Sequence, residues 1–243
     1  VPAPITPGNR HRDSRALSGS PLLTRIKPRG RARRIVSFVR NPICAGRPVR
    51  VIDKPLSDYP WYLRPFFWNQ RRKYGQVLKP ALLWARSPPL FLGVALLYGV
   101  LDRRGSPLDP VLRSLVTVRV SQLNWCRFCV DLNSMTLARR AGSMEKVQQL
   151  ANWRQSDAFT DPERAALDYA ESMTLSDRPV TDDLVARLRR HFDDDAVVEL
   201  TGLVAFQNLS SKFNAALDVP SQGFCQLPAA GAAPSRSDAR TNP

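Results

Sequence analysis

An all-α fold is what this sequence predicts, and three observations predict it. After Ser106, apolar residues recur at the three- and four-residue spacing of a helix face. These stretches open on helix-capping residues, as at Asp109-Pro110, Thr160-Asp161-Pro162-Glu163, Thr181 and Asp193. No segment alternates apolar and polar residues over strand length, and no Gly-rich phosphate loop or dinucleotide fingerprint appears.

Residues 1–50 are rich in Pro, Arg, Ser and Gly without helical or strand periodicity, and are expected to form a disordered basic arm. The chain starts at Val1 rather than Met, which leaves open whether this arm belongs to the natural protein. Residues 51–105 form an aromatic-rich helical segment, with Trp61, Tyr62, Phe66, Phe67, Trp68 and Trp84 set among basic residues. Aromatics beside Arg71, Arg72 and Lys73 can stack on bases, but packing on the helical domain is the favoured reading. Within this segment the apolar run Leu90 to Leu101 is 12 residues long, short of the roughly 20 that span a bilayer. It is expected to be a buried core helix, with no membrane span.

Residues 106–225 are expected to be the helical domain and 226–243 a disordered tail. Asp109-Pro110 starts a helix whose apolar face includes Leu112, Leu115, Val116 and Leu123, with the stem of Arg119 beside them. A second helix carries two cysteines and should stop at Gly142, with Arg139 and Arg140 suited to its negative end. The capping box at Thr160 opens a third, carrying Ala166, Leu167, Ala170 and Met173. Thr181 precedes Leu184, Val185 and Leu188. Asp193 to Asp195 precede a long helix through Val198, Leu200, Leu203, Phe206, Leu209 and Phe213.

Charge is uneven. Residues 1–86 hold 19 Lys and Arg against 3 Asp and Glu, so nearly all of the net +15 lies there. Such an arm can attract nucleic acid or another anionic surface, but no nucleic-acid-binding motif accompanies it, and a solvated tail is the favoured reading. Four cysteines in a chain this long, without an apolar signal segment near the start, do not make a secreted disulfide scaffold, and a reducing cytoplasm is expected.

The most informative stretch is Asn124-Trp125-Cys126-Arg127-Phe128-Cys129-Val130-Asp131-Leu132-Asn133. One helical turn brings positions i and i+3 to Cβ separations of roughly 5–6 Å, from which a small adjustment closes a disulfide. A crosslink over so short a loop stabilises a fold by only about 2 kcal/mol, which favours a redox role over a structural one. With Asn124 as N-cap, the free N–H groups of the first turn and the charge of Arg127 would favour a thiolate. Zinc is not favoured, because Cys44, Cys225, His11 and His191 are remote and unpaired at ligand spacing. No cofactor is implied.

From about Leu108 to Phe224 the chain resembles the carboxymuconolactone decarboxylase family, specifically its alkylhydroperoxidase D-like redox branch. The carriers are Leu112-Arg113-Ser114-Leu115-Val116, the Cys126 to Ser134 segment, Phe159 to Ala170, and Lys212-Phe213-Asn214-Ala215-Ala216-Leu217 with Gln222-Gly223-Phe224. The resemblance implies an all-α bundle that forms homo-oligomers, with the cysteine pair at a helix N-terminus near a subunit contact. It also implies that Cys129 attacks a hydroperoxide substrate, and that Cys126 donates a proton and then closes the disulfide. An external dithiol, of lipoyl or thioredoxin type, would return the pair to its reduced form.

Two positions depart from the family pattern. Its relay Glu and His fall on Ser114 and Asn133, neither of which is a base near neutral pH, so Asn133 is left to orient a water or substrate. His191 is expected to be a surface residue closing a helix, and Asp131 to cap or pair with an Arg rather than serve a relay. Cys225 is expected to pack at the domain end. Two other functions compete with hydroperoxide reduction: a cofactor-free decarboxylase, and a non-catalytic helical oligomer that binds an anionic partner through its arm.

Overall fold

A computed structural model describes residues 50–225, and within them the chain is all-helical, with no strand. The helices are α1 (Arg64–Tyr74), α2 (Lys79–Trp84), α3 (Pro88–Leu101), α4 (Pro110–Leu123), α5 (Arg127–Ala141), α6 (Glu145–Gln149), α7 (Asp161–Thr174), α8 (Asp182–Leu188) and α9 (Asp194–Ala216). Residues 1–49 of the expected arm 1–50, Cys44 and His11 among them, and the expected tail 226–243 lie outside the described residues.

The expected starts are present. Asp109 Oδ1 accepts from the N–H groups of Val111 and Leu112 at 2.7 and 3.1 Å, and Asp193 Oδ1 from Ala196 at 2.8 Å. Thr181 Oγ1 accepts from Leu184 N–H, and Thr160 N–H donates to Glu163 at 2.9 Å. Gly142 ends α5 at φ +70°, a conformation that costs glycine little. The short α6 and the 3-10 turn Leu150–Gln155, which no periodicity in the sequence announces, bring Val147, Leu150 and Trp153 into the core.

Helix α4 is the centre because it is apolar on two faces. Leu112, Val116 and Val120, four residues apart, pack with α7, α8 and α9; Leu115 and Val118 pack with Leu137, Leu150, Trp153 and Leu167. A helix covered on both sides is buried nearly all round, and Leu115, Val116, Val118 and Val120 are inaccessible to solvent. The α7 side of this core contains a charged cluster. Glu171, 2% exposed, accepts from Arg119 Nε at 2.7 Å, Trp153 Nε1 at 2.9 Å and Arg178 at 2.8 Å, and pairs with Arg154 at 2.8 Å. Arg119 therefore contributes its charge here as well as its stem.

The aromatic segment packs against the domain through some of its rings. Tyr59, Phe67, Trp84 and Phe91 are buried together, and Trp84 lies flat on Phe213 of α9 at 3.5 Å. Trp61 and Trp68 instead stand largely in solvent.

Helix α3 departs from expectation. It is apolar throughout, yet only Phe91 and Leu101 are buried, while Leu90, Leu92, Leu96, Leu97 and Val100 are exposed. The reason is geometric: among the described residues α2 and α9 pack on one face of α3, and Leu90, Leu92, Leu96, Leu97 and Val100 point away from it. Val198 and Leu209, assigned to the apolar face of α9, also point outward. No helix of the described residues is long and apolar enough to cross a membrane.

Candidate active site

Cys126 and Cys129 are joined as a disulfide at the start of α5, with Cα atoms 5.2 Å apart. The local cap differs from the sequence expectation. Asn124 closes α4 rather than opening α5, because its side-chain amide donates to Asn208 Oδ1 and Ser211 Oγ of α9 at 2.8 and 2.9 Å. The chain then turns at Trp125, which adopts φ +55° and is 87% exposed. Cys126 becomes the N-cap, and its Sγ accepts the N–H of Cys129 at 3.1 Å.

The two sulfurs therefore have separate donors. Cys126 takes the helix N–H, whereas Cys129 Sγ accepts from Asn214 Nδ2 of α9 at 3.3 Å. Arg127 pairs with Asp218 at 2.6 Å, so its charge is partly answered by a carboxylate and is not wholly available to the thiols. Leu83, Phe128 and Val219 close around the pair, leaving Cys126 1% and Cys129 4% exposed.

A cavity of about 320 Å³ reaches Cys129 and has Cys126 outside its lining. Trp84, Phe91, Phe128 and Leu132 supply apolar wall, while Asn133, Gln207 and Asn214 present amides. It opens to solvent beside Phe66, Lys73 and Tyr98, which are exposed. Asn133 Nδ2 donates to Ser121 Oγ at 3.2 Å, which also accepts from Gln207 at 3.0 Å. Ser114 is elsewhere: its Oγ donates to Pro110 O at 3.0 Å and accepts from Arg140 at 3.0 Å, in the contact between α4 and α5.

Asp131 holds residues 221–225 rather than an Arg. Its carboxylate accepts from Ser221 Oγ at 2.7 Å and from the N–H groups of Gln222, Gly223 and Cys225 at 2.9, 2.8 and 2.7 Å. Burial pushes its pKa up, but these hydrogen bonds outweigh burial and hold it below the usual carboxylate value. Cys225 is a free thiol beside it, with its pKa raised by burial and by the Asp131 charge. His191 is exposed beyond α8, remote in sequence from the cysteines and absent from the lining of their cavity. Among the described residues no group of three or more His, Cys, Asp or Glu is placed to hold a metal.

No sequence motif assigns Asn214 a role. Its signal was present: Gln207, Ser211 and Asn214 form a polar stripe at helical spacing within the apolar α9, and all three are buried.

Residues 88–172 match the model of the carboxymuconolactone decarboxylase family. Over 174 residues, 72% of this chain and 96% of the relative, the sequence is 50% identical to the uncharacterized protein YnjA of Escherichia coli K12. The chain belongs to the carboxymuconolactone decarboxylase family. Solved structures agree on the fold of this family member. An alkylhydroperoxidase AhpD core, an uncharacterized peroxidase-related protein from Ralstonia eutropha JMP134, superposes with TM-score 0.68 at 23% identity, over 74% of this chain and 96% of that one. The debrominase Bmp8 superposes with TM-score 0.63 at 22% identity, over 71% and 91%. In this carboxymuconolactone decarboxylase family chain, the match begins at α3 and ends within α7, and so spans the central helix and the cysteines.

Proposed function

We propose that this protein is a thiol-dependent oxidoreductase that reduces hydroperoxides, with Cys129 as the attacking sulfur and Cys126 as the resolving one. The observation that carries this reading is that Cys129 lines the cavity while its disulfide partner Cys126 lies outside that lining. A peroxide entering the cavity meets Cys129 first.

In the reduced protein the Cys129 thiolate attacks one peroxide oxygen. The O–O bond breaks, Cys129 becomes a sulfenic acid, and the departing alkoxide takes the proton of the Cys126 thiol and leaves as an alcohol. The Cys126 thiolate then attacks the sulfenic sulfur and expels hydroxide, which is protonated to water as the disulfide forms. An external dithiol of the cytoplasm reduces the disulfide by exchange and is itself oxidised. With Ser114 spent in a helix contact and Asn133 bound to Ser121, thiolate formation relies on Asn214 and on the helix N-terminus. The family relay is thereby replaced by neutral donors, whose assistance is expected to be weaker than the ~10²–10⁴ of general acid–base catalysis.

The test is peroxide consumption driven by dithiothreitol. Cys129→Ser should abolish it and Cys126→Ser should reduce it strongly. Mass spectrometry of alkylated protein after a stoichiometric peroxide pulse should show the 126–129 bridge. Unchanged turnover in both variants would overturn the reading in favour of cysteine-independent chemistry such as decarboxylation.

A further inference from the structure

Two polar residues of the cavity lining each hold a hydrogen-bonding atom without a partner. Arg113 on α4 is 5% exposed and borders the cavity. Its Nη1 donates to the carbonyls of Leu101 and Arg103, both at 2.9 Å, which ties down the end of α3. Its Nε–H has no partner. Asn214, 2% exposed, donates to Cys129 through Nδ2, and its Oδ1 has no partner. Buried donors and acceptors left unmade are costly, and both of these belong to side chains that line the cavity, where a ligand's polar groups would lie beside them.

The two places are well separated. Helices α4 and α5 run antiparallel, as the pairs Asn133–Ser121 and Arg140–Ser114 require. Cys129 lies in the first turn of α5 and Arg113 in the first turn of α4; the two pairs set Cys129 level with position 125, just past the end of α4, so at 1.5 Å per residue it is about 18 Å from Arg113 along the bundle. Apolar side chains line the cavity, Trp84, Phe91 and Leu132 among them.

Charge selects the group at the Arg113 end. Lys73 and Arg113 line the cavity against one lining carboxylate, Asp102. Asp102 is engaged by Arg140 at 2.6 Å and lies 3.9 Å from Arg113, so two guanidinium groups surround it and a cation is left over. A buried guanidinium with a free N–H recognises a carboxylate.

Building on the hydroperoxide reading, we propose that the substrate is an amphipathic organic hydroperoxide: an apolar body with a carboxylate at Arg113 and the peroxide group at Cys129. Asn214 Nδ2 holds the attacking sulfur beside the peroxide group. Arg113 is a binding residue, and its distance from the sulfurs keeps it out of the bond-breaking step.

Binding to the oxidised full-length protein tests this without turnover, with decanoate and methyl decanoate as probes in calorimetry or tryptophan fluorescence. Decanoate should bind about tenfold or more tightly than its ester, the scale of one buried charged hydrogen bond. Arg113→Gln should bring the ratio close to one, and Asp102→Asn should widen it. Should Arg113→Gln fail to fold, the wild-type ratio and Asp102→Asn decide. Equal binding of the two probes, binding of neither, or a ratio that no folded variant alters would overturn the proposal. An intact ratio with no hydroperoxide turnover would instead overturn the redox reading and leave the carboxylate site standing.

Discussion

Asn214 of α9 donates its side-chain amide to the sulfur of Cys129 at 3.3 Å, and both residues are buried. The contact crosses 85 residues of sequence and joins the last long helix to the first turn of the cysteine helix. A donor held against a sulfur out of water favours the thiolate once the disulfide is reduced.

Replacing Asn214 by Leu should therefore raise the Cys129 thiol pKa and slow its alkylation by iodoacetamide at neutral pH by about tenfold, the worth of one hydrogen bond to a charged group. The thiolate ultraviolet absorbance followed against pH checks the shift directly. An unchanged titration would remove Asn214 from the thiol's activation.

Trp125 adopts φ +55° while 87% exposed, so little packing offsets its backbone strain. Trp125→Gly places a residue there that accepts this conformation freely. Thermal unfolding of the oxidised protein should show a gain of up to about 1 kcal/mol.

Asp131 links stability to pH. Its folded pKa lies below the unfolded value of about 3.9, so its contribution is fully present above that value and is lost as the pH falls through the folded one. Asp131→Asn should cost about 1–3 kcal/mol at neutral pH by denaturant unfolding, and the gap to wild type should close in strong acid. Hydrogen exchange should show residues 221–225 loosened, since three of their N–H groups lose the carboxylate.

Glu171→Leu leaves the largely buried guanidinium of Arg119 without its carboxylate beside an apolar core. A loss of about 3–5 kcal/mol is expected, because breaking a buried pair from one side strands the other charge. Arg119→Met on the same background should recover part of it. A double-mutant cycle by urea unfolding measures the recovery.

The sequence by itself determined the all-α class, because helix spacing and local caps are short-range properties written within a few residues of one another. Asp109, Thr160, Thr181 and Asp193 open their helices as expected, and Gly142 closes one. The cysteine pair and its spacing were equally plain. What tertiary structure decided is which groups surround it. Asn124 was drawn away from capping α5 by Asn208 and Ser211, residues more than 80 positions distant, and the cap fell to Cys126. Asp131 met residues 221–225 instead of an arginine, and Ser114 faced Arg140. The apolar pattern of α3 is that of a buried helix, but burial depends on neighbours, and the described residues cover only one face of it. Local hydrogen bonds and periodicity select the helices; only the packing of distant helices selects which sulfur borders the cavity and which cation waits at its far end.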